Sequence, residues 1–361
     1  MHISKLKLAL TAVVGVSAMM TLAACAPGSS TANAVDAGAD TSKVAELRLG
    51  YFANITHAPA LIGVKEGLFQ KALGDTKVTT SVFNAGPAVI EALSAGALDA
   101  AYIGPSPAIN SYVKSAGQSL VVVAGATNGG AQLVVKPEIT SVDQLKGKTI
   151  ATPQLGNTQD VALRSFLADK GFKTDVSGGG DVKITPTDNA QTLTLFQQGQ
   201  LDGAWLPEPW ASRLVVDAGA KVLVDEASLW PNGSFPTTEL VVSKKFFDAH
   251  PATVKKLLQG HLDALDAIAN DPAHAAEDIN AQLKVDAGKP LSPAVLERAL
   301  KNVQFSADPN AATYADLLKH AVAAGTAKTG KLDGIFNLQL VNELLKARGG
   351  KPVLAGGLGT E

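Results

Sequence analysis

The stretch Gly96-Ala97-Leu98-Asp99-Ala100-Ala101-Tyr102-Ile103-Gly104-Pro105-Ser106-Pro107 returns 103 residues later. There it reads Gly199-Gln200-Leu201-Asp202-Gly203-Ala204-Trp205-Leu206-Pro207-Glu208-Pro209-Trp210. Gly, Leu, Asp and Ala recur in register, and Tyr102 meets Trp205. Solenoid units repeat every 20 to 50 residues or so, so a period this long is no solenoid. Each copy reads as the end of a helix, a tight turn, a buried strand and a Pro-rich loop into a new helix. The expectation is an α/β chain of two similar lobes, each ending a strand in a loop that faces a shared space. A strand feeding a helix at such an end presents the helix's free N–H groups, and ligands of open α/β sheets bind there. Ser106 before Pro107 has the form of an N-cap followed by a first helical residue. Glu208 before Pro209 offers a carboxylate in the same position.

The flanking pattern fills in the lobes. Leu47 to Tyr51 predicts a strand, Asn54 to Pro59 a loop, and Pro59 opens a helix to about Phe69. Val78 to Phe83 alternates as a strand does, and Gly86-Pro87 starts a helix. Leu120 to Ala124 is wholly apolar, as for a strand covered on both faces. Thr149 to Ala151 begins the second set, with a polar loop at Gly156-Asn157-Thr158-Gln159 and a helix ending near Gly171. Ile184 to Thr187 and Val222 to Val224 predict its further strands. After Ser243 the pattern is almost wholly helical, and those helices are expected to cover the first lobe. The lobes are therefore expected at 46–135 with 243–350, and at 136–242. The chain would cross between them near 134–138 and near 237–243.

Three loop positions carry chemistry. Gly156 lets a backbone approach a ligand closely, and Asn157, Thr158 and Gln159 put short polar groups at a helix start, a natural seat for an anion. His57 lies in the first strand-to-helix loop, either as an anion donor or as a surface or capping residue. No second His or paired acid adjoins it, so neither a metal site nor a catalytic triad is supported. Trp210 offers an apolar wall to a carbon chain or packing within its lobe.

The chain starts with His2, Lys5 and Lys7, an apolar run from Leu8 to Leu22, and Leu22-Ala23-Ala24-Cys25. This is the pattern of a secretory signal over 1–24. Residues 25–45 hold few large apolar side chains and predict a flexible tether. Cys25 is the only cysteine, so the body has no disulfide and no thiol nucleophile. The remaining 337 of the 361 residues suit about two domains. A net charge of −2 without a basic stripe disfavours nucleic acid as a partner.

The signal's end resembles a bacterial lipobox, in which the cysteine becomes lipid-modified. Signal, lipobox, tether and two lobes together resemble a substrate-binding lipoprotein of an ABC importer. Three segments are similar to the nitrate, sulfonate and taurine family. They are Thr56-His57-Ala58-Pro59-Ala60 with Gly67-Leu68-Phe69, the step from Leu98 to Tyr102 into Gly104-Pro105-Ser106-Pro107, and Trp205-Leu206-Pro207-Glu208-Pro209. The resemblance covers about residues 46 to 245. It implies a periplasmic-binding-protein type II fold (a Venus flytrap): two mixed sheets flanked by helices, with two crossovers. It also implies an extracytoplasmic protein, lipid-anchored at Cys25, that closes on a small anionic or zwitterionic ligand and delivers it to permease and ATPase subunits. No cofactor or metal is implied. The family's pocket, carried over, is lined by Asn54, Thr56, His57, Ser106, Asn157, Thr158, Gln159, Glu208 and Trp210. Enzymes on this fold use cysteines that this chain lacks. Two alternatives stay open at this point: a sensing module for a membrane receptor, and a heteroaromatic ligand such as a thiamine precursor or riboflavin.

Overall fold

A computed structural model describes residues 44–361; the expected signal, Cys25 and nearly all of the tether lie outside the described residues. Strands β1 (Glu46–Phe52), β2 (Lys77–Phe83) and β3 (Ala100–Ile103) alternate with helices α1 (Ala58–Lys65), α2 (Leu68–Leu73), α3 (Gly86–Ser94) and α4 (Pro105–Lys114). The single helix expected from Pro59 to Phe69 is two, because Gly67 sits at φ +67° between α1 and α2. Next come β4 (Leu120–Gly129), β5 (Ala131–Val135), β6 (Thr149–Thr152), α5 (Thr158–Asp169), β7 (Lys183–Pro186), α6 (Asn189–Gln197), β8 (Gly203–Pro207), α7 (Trp210–Ala218) and β9 (Lys221–Asp225). The chain then forms β10 (Pro236–Ser243), α8 (Lys244–Ala249), α9 (Pro251–Asn270), α10 (Pro272–Ala287) and α11 (Pro293–Lys301). It closes with β11 (Val303–Phe305), α12 (Tyr314–Ala323), β12 (Phe336–Asn337), α13 (Gln339–Ala347) and β13 (Gly359–Thr360).

Two mixed sheets result. One runs β13-β12-β4-β10-β3-β1-β2 with β11 on β4, and the other runs β7-β6-β8-β5-β9. Within them β2-β1-β3-β10-β4 and β7-β6-β8-β5-β9 have the same order. In each, one antiparallel strand is inserted beside the strand of the repeat. That inserted strand corrects the expected crossings. β5 pairs with β8 and β9, and β10 pairs with β3 and β4. The chain therefore passes between sheets at Gly130 and over residues 226–235, not near 134–138 and 237–243. Both strands are buried nearly throughout, so burial-based reading is the same whichever sheet takes them.

The repeat has a physical reason. Gly96 and Gly199 end their helices at φ +70° and +74°, and Leu98 and Leu201 are buried. Asp99 accepts the Arg48 amide of β1 at 2.9 Å, and Asp202 accepts the Thr149 amide of β6 at 2.9 Å. Each aspartate thus anchors the first strand of its own lobe. Tyr102 and Trp205 are fully buried, and their polar ends are satisfied. Tyr102 Oη lies 2.8 Å from His261 Nδ1, and Trp205 Nε1 donates to Glu226 at 2.7 Å. The C-terminal segment is not confined to one lobe. α12 packs on both α4 and α5, and α11 packs on α7. No described helix is long and apolar enough to cross a membrane.

Candidate functional site

A small polar seat lies where the strand ends of the two sheets face each other. Asn54, Thr56 and His57 line it from the β1 side, and Asn157, Thr158 and Gln159 line it from the β6 side. Asn84 follows β2 and Asn189 opens α6; Gly104 and Thr237 complete the polar lining. Every lining side chain is uncharged at neutral pH. His57 is buried, and burial pushes its imidazole down to about 3. Its Nδ1 accepts the Phe52 amide at 3.3 Å, and its ring lies 4.2 Å from that of Phe52. Nδ1 is therefore the acceptor and Nε2 carries the proton. His57 offers a neutral donor, not a cation.

Four helices start at this lining. His57 precedes α1, Gly104 precedes α4, Asn157 precedes α5 and Asn189 is the first residue of α6. The first amides of each have no carbonyl behind them in the helix and favour negative charge by about 0.3 to 1 kcal/mol per terminus. At α5 the side chains leave those amides uncovered. Asn157 does not cap its own helix; its Oδ1 accepts the Gly86 amide of α3 at 3.1 Å, across the gap between lobes. Its Nδ2 donates to Gln159 at 3.1 Å. The hydroxyl of Thr158 and Oδ1 of Asn189 are buried without a partner. Asp160 stiffens this edge: it accepts Thr152 Oγ1 at 2.8 Å, the Gly156 amide at 2.9 Å and Arg164 Nε at 2.9 Å.

Three positions sit differently from the expectation. Ser106 is buried and unpartnered, but it lies inside α4; Pro105 opens the helix and Gly104 is the cap. Two prolines one residue apart both suit a first turn, and the earlier one wins. Ser106 does not border the seat. Glu208 is also outside it. Its peptide bond to Pro209 is cis, Pro209 takes the cap position of α7, and the carboxylate reaches past it to the Ser212 amide at 3.0 Å. Its other oxygen accepts Arg298 Nη1 at 3.1 Å and Asn302 Nδ2 at 2.7 Å. Burial raises this carboxyl above the ordinary range, against the pull of Asn302, Ser212 and Arg298. Both oxygens are engaged and the side chain is fully buried, so Glu208 does not border the seat. Trp210 borders a second, larger cavity, and its Nε1 donates to Asn54 Oδ1 at 2.8 Å.

Sequence reasoning missed Asn84 and Asn189. Each lies within a strand-to-helix step, between Phe83 and Gly86 and between Pro186 and Ala190, and that shared placement was the available signal. Elsewhere, Glu66, His274 and Asp278 gather three metal-ligand atoms within 4.8 Å where α1 ends near α10; none of them lines the seat.

The model of the NMT1-like family matches residues 40–283. The chain belongs to the NMT1-like family. Among relatives, a Brucella abortus protein named as a binding protein is 26% identical over 242 residues, covering 66% of this chain and 72% of that one. The taurine-binding periplasmic protein of Escherichia coli is 29% identical over 207 residues, 57% of this chain and 62% of its own. Among solved structures, the alkanesulfonate-binding protein SsuA from Xanthomonas axonopodis pv. citri, bound to MOPS, superposes with a TM-score of 0.67. It is 23% identical, over 80% of this chain and 96% of SsuA. The fold of this NMT1-like protein is thus that of the periplasmic binding proteins, as its two equivalent sheets require.

Proposed function

We propose that this NMT1-like protein is the extracytoplasmic solute-binding component of an ABC importer for a small organic oxyanion of the sulfonate or taurine type. One observation carries the reading: four helix starts and an unpartnered threonine hydroxyl, drawn from both lobes, border one uncharged seat. Neutral amides and hydroxyls grip a compact anion without offering a nucleophile or a proton acceptor, so the ligand is held and released unchanged. The names of the taurine- and sulfonate-binding relatives support the ligand class. The lobes assigned to the ligand-closing motion are the two sheets with their helices, joined at Gly130 and over 226–235. The same reading gives the protein a lipid at Cys25, a place on the outer face of the membrane, and permease and ATPase subunits as partners.

Calorimetric titration with taurine, ethanesulfonate, nitrate and bicarbonate tests it. A sulfonate binding in the micromolar range or tighter, with taurine recovered intact, is the expected result. A preference for nitrate or bicarbonate would move the ligand class, and binding of none of the four would remove the oxyanion reading. Replacing Cys25 by Ser should release the protein from the membrane fraction.

A further inference from the structure

Glu66, His274 and Asp278 stand apart from the seat, and their side chains converge. One ligand atom from each lies within 4.8 Å of the others. His274 Nε2 and Asp278 Oδ2 are 3.6 Å apart. Among the described residues, no other side chain or backbone group engages either of them or the Glu66 carboxylate. Two carboxylates and an imidazole thus gather at one point with their donor atoms otherwise unused.

The fold builds this convergence. Asp271 caps α10 by accepting the His274 amide at 3.1 Å, which fixes His274 in the first turn. Asp278 follows one turn later, and residues four apart share a helix face. α1 packs on α10, and Glu66 caps its C-terminal end, just before Gly67 turns the chain at φ +67°. The C-terminal end of a helix favours positive charge.

The donor set identifies the class of ion. Zinc binds imidazole nitrogen and carboxylate oxygen at about 2.0 to 2.2 Å, which in a tetrahedron sets the ligands roughly 3.3 to 3.6 Å from one another. The His274–Asp278 separation already matches, and the long, exposed side chain of Glu66 closes the rest by rotation. Calcium and magnesium take about six or more oxygen ligands and gain nothing from an imidazole. Two carboxylates neutralise a divalent charge. We propose that Glu66, His274 and Asp278 bind one divalent transition-metal ion of the zinc type. Water completes the coordination, and the ion ties α10 to the end of α1.

Calorimetric titration of the untagged chain, first stripped of metal with a chelator, compares zinc, magnesium and calcium chlorides. Zinc should bind with a stoichiometry of one, about a hundredfold more tightly than magnesium or calcium. His274→Ala should weaken zinc by about tenfold or more, and Asp278→Asn and Glu66→Gln should each weaken it as well. None of the three positions is in the core, so these variants keep their fold. Zinc should also raise the midpoint of thermal unfolding of the parent chain and leave that of His274→Ala unmoved. Zinc binding that His274→Ala leaves undiminished would put the ion elsewhere and overturn the site. So would an absence of zinc binding, or magnesium bound as tightly as zinc. No oxyanion enters these measurements, so their outcome is independent of the function proposed above.

Discussion

Thr158 has a hydroxyl that no protein atom uses, 3% exposed and bordering the seat proposed for the oxyanion. Thr158→Ala removes that donor without breaking any internal bond. A hydrogen bond to a charged group contributes about 1.5 to 3 kcal/mol, so ligand affinity should fall roughly ten- to a hundredfold. The midpoint of thermal unfolding without ligand should stay put; a drop in that midpoint matching the lost affinity would show the hydroxyl to be structural. Asn157 is a poorer probe, because its Oδ1 also holds Gly86 across the gap. Asn157 to Gln159 were legible in the sequence because glycine, short polar side chains and a helix start coincide there. Ser106 and Glu208 were not, because proline fits either the cap or the first turn, and sequence does not say which of two neighbouring prolines opens the helix. Glu208 was further hidden by its partners, Arg298 and Asn302, 90 and 94 residues away.

At the scale of elements, α11 is the piece that sequence placed least well. It was assigned to cover the first lobe, and Ala299 does pack into that core. Yet Arg298 on the same helix reaches Gln132 of β5 at 2.7 Å, Ser212 of α7 at 2.7 Å and Glu208 at 3.1 Å. An amphipathic helix announces an apolar face; it does not announce which sheet receives its polar one. Arg298→Ala would leave the Glu208 carboxylate buried without its counter-charge, a change that costs about 3 to 5 kcal/mol where it has been measured. Urea unfolding should therefore show a loss of that order. Adding Glu208→Gln should recover part of it, since the orphaned charge is then gone. A double variant as unstable as the single one would mean that Arg298 acts through packing. The strands were easier to read: alternation, apolar runs and the repeat gave β1 to β4 and β6 to β9, while the residues of β5 and β10 read only as crossings. The sheets taking β5 and β10 stayed hidden, because their partners are set by pairing over long separations.

For the whole molecule, two opposed sets of buried titrating groups shape the pH dependence of stability. Burial pushes His57 down to about 3 and His261 down to about 4. Burial pushes Glu226 up to about 7 and Glu239 well above its ordinary value. The histidines bind protons only when unfolded, so their contribution is complete above about 6.5 and is lost as pH falls toward 4 and 3. The glutamates bind protons only when folded, so theirs is complete below about 4.5 and is lost as pH rises, for Glu226 through about 7. Between about 4.5 and 6.5 the two sets act in opposite directions, so stability should change less with pH there than outside that window. Outside that window each uncompensated proton changes stability by about 1.4 kcal/mol per pH unit. Urea unfolding from pH 4 to 8 checks this. His261→Gln should flatten the acid limb and Glu226→Gln the alkaline one, and a single slope across the window would contradict the assignment. The same view gives meaning to where the family match stops. It ends at residue 283, whereas α11 and α12 follow it. These two helices bridge the helices of the two sheets: α11 packs on α7 and α12 on both α4 and α5, with Ala321 and Ala324 buried against Val161 of α5. A guest can shut the trap only by as much as it prefers the shut form. On the proposed function, the contacts of α11 and α12 outside the seat would then set part of the balance between the open and the shut form.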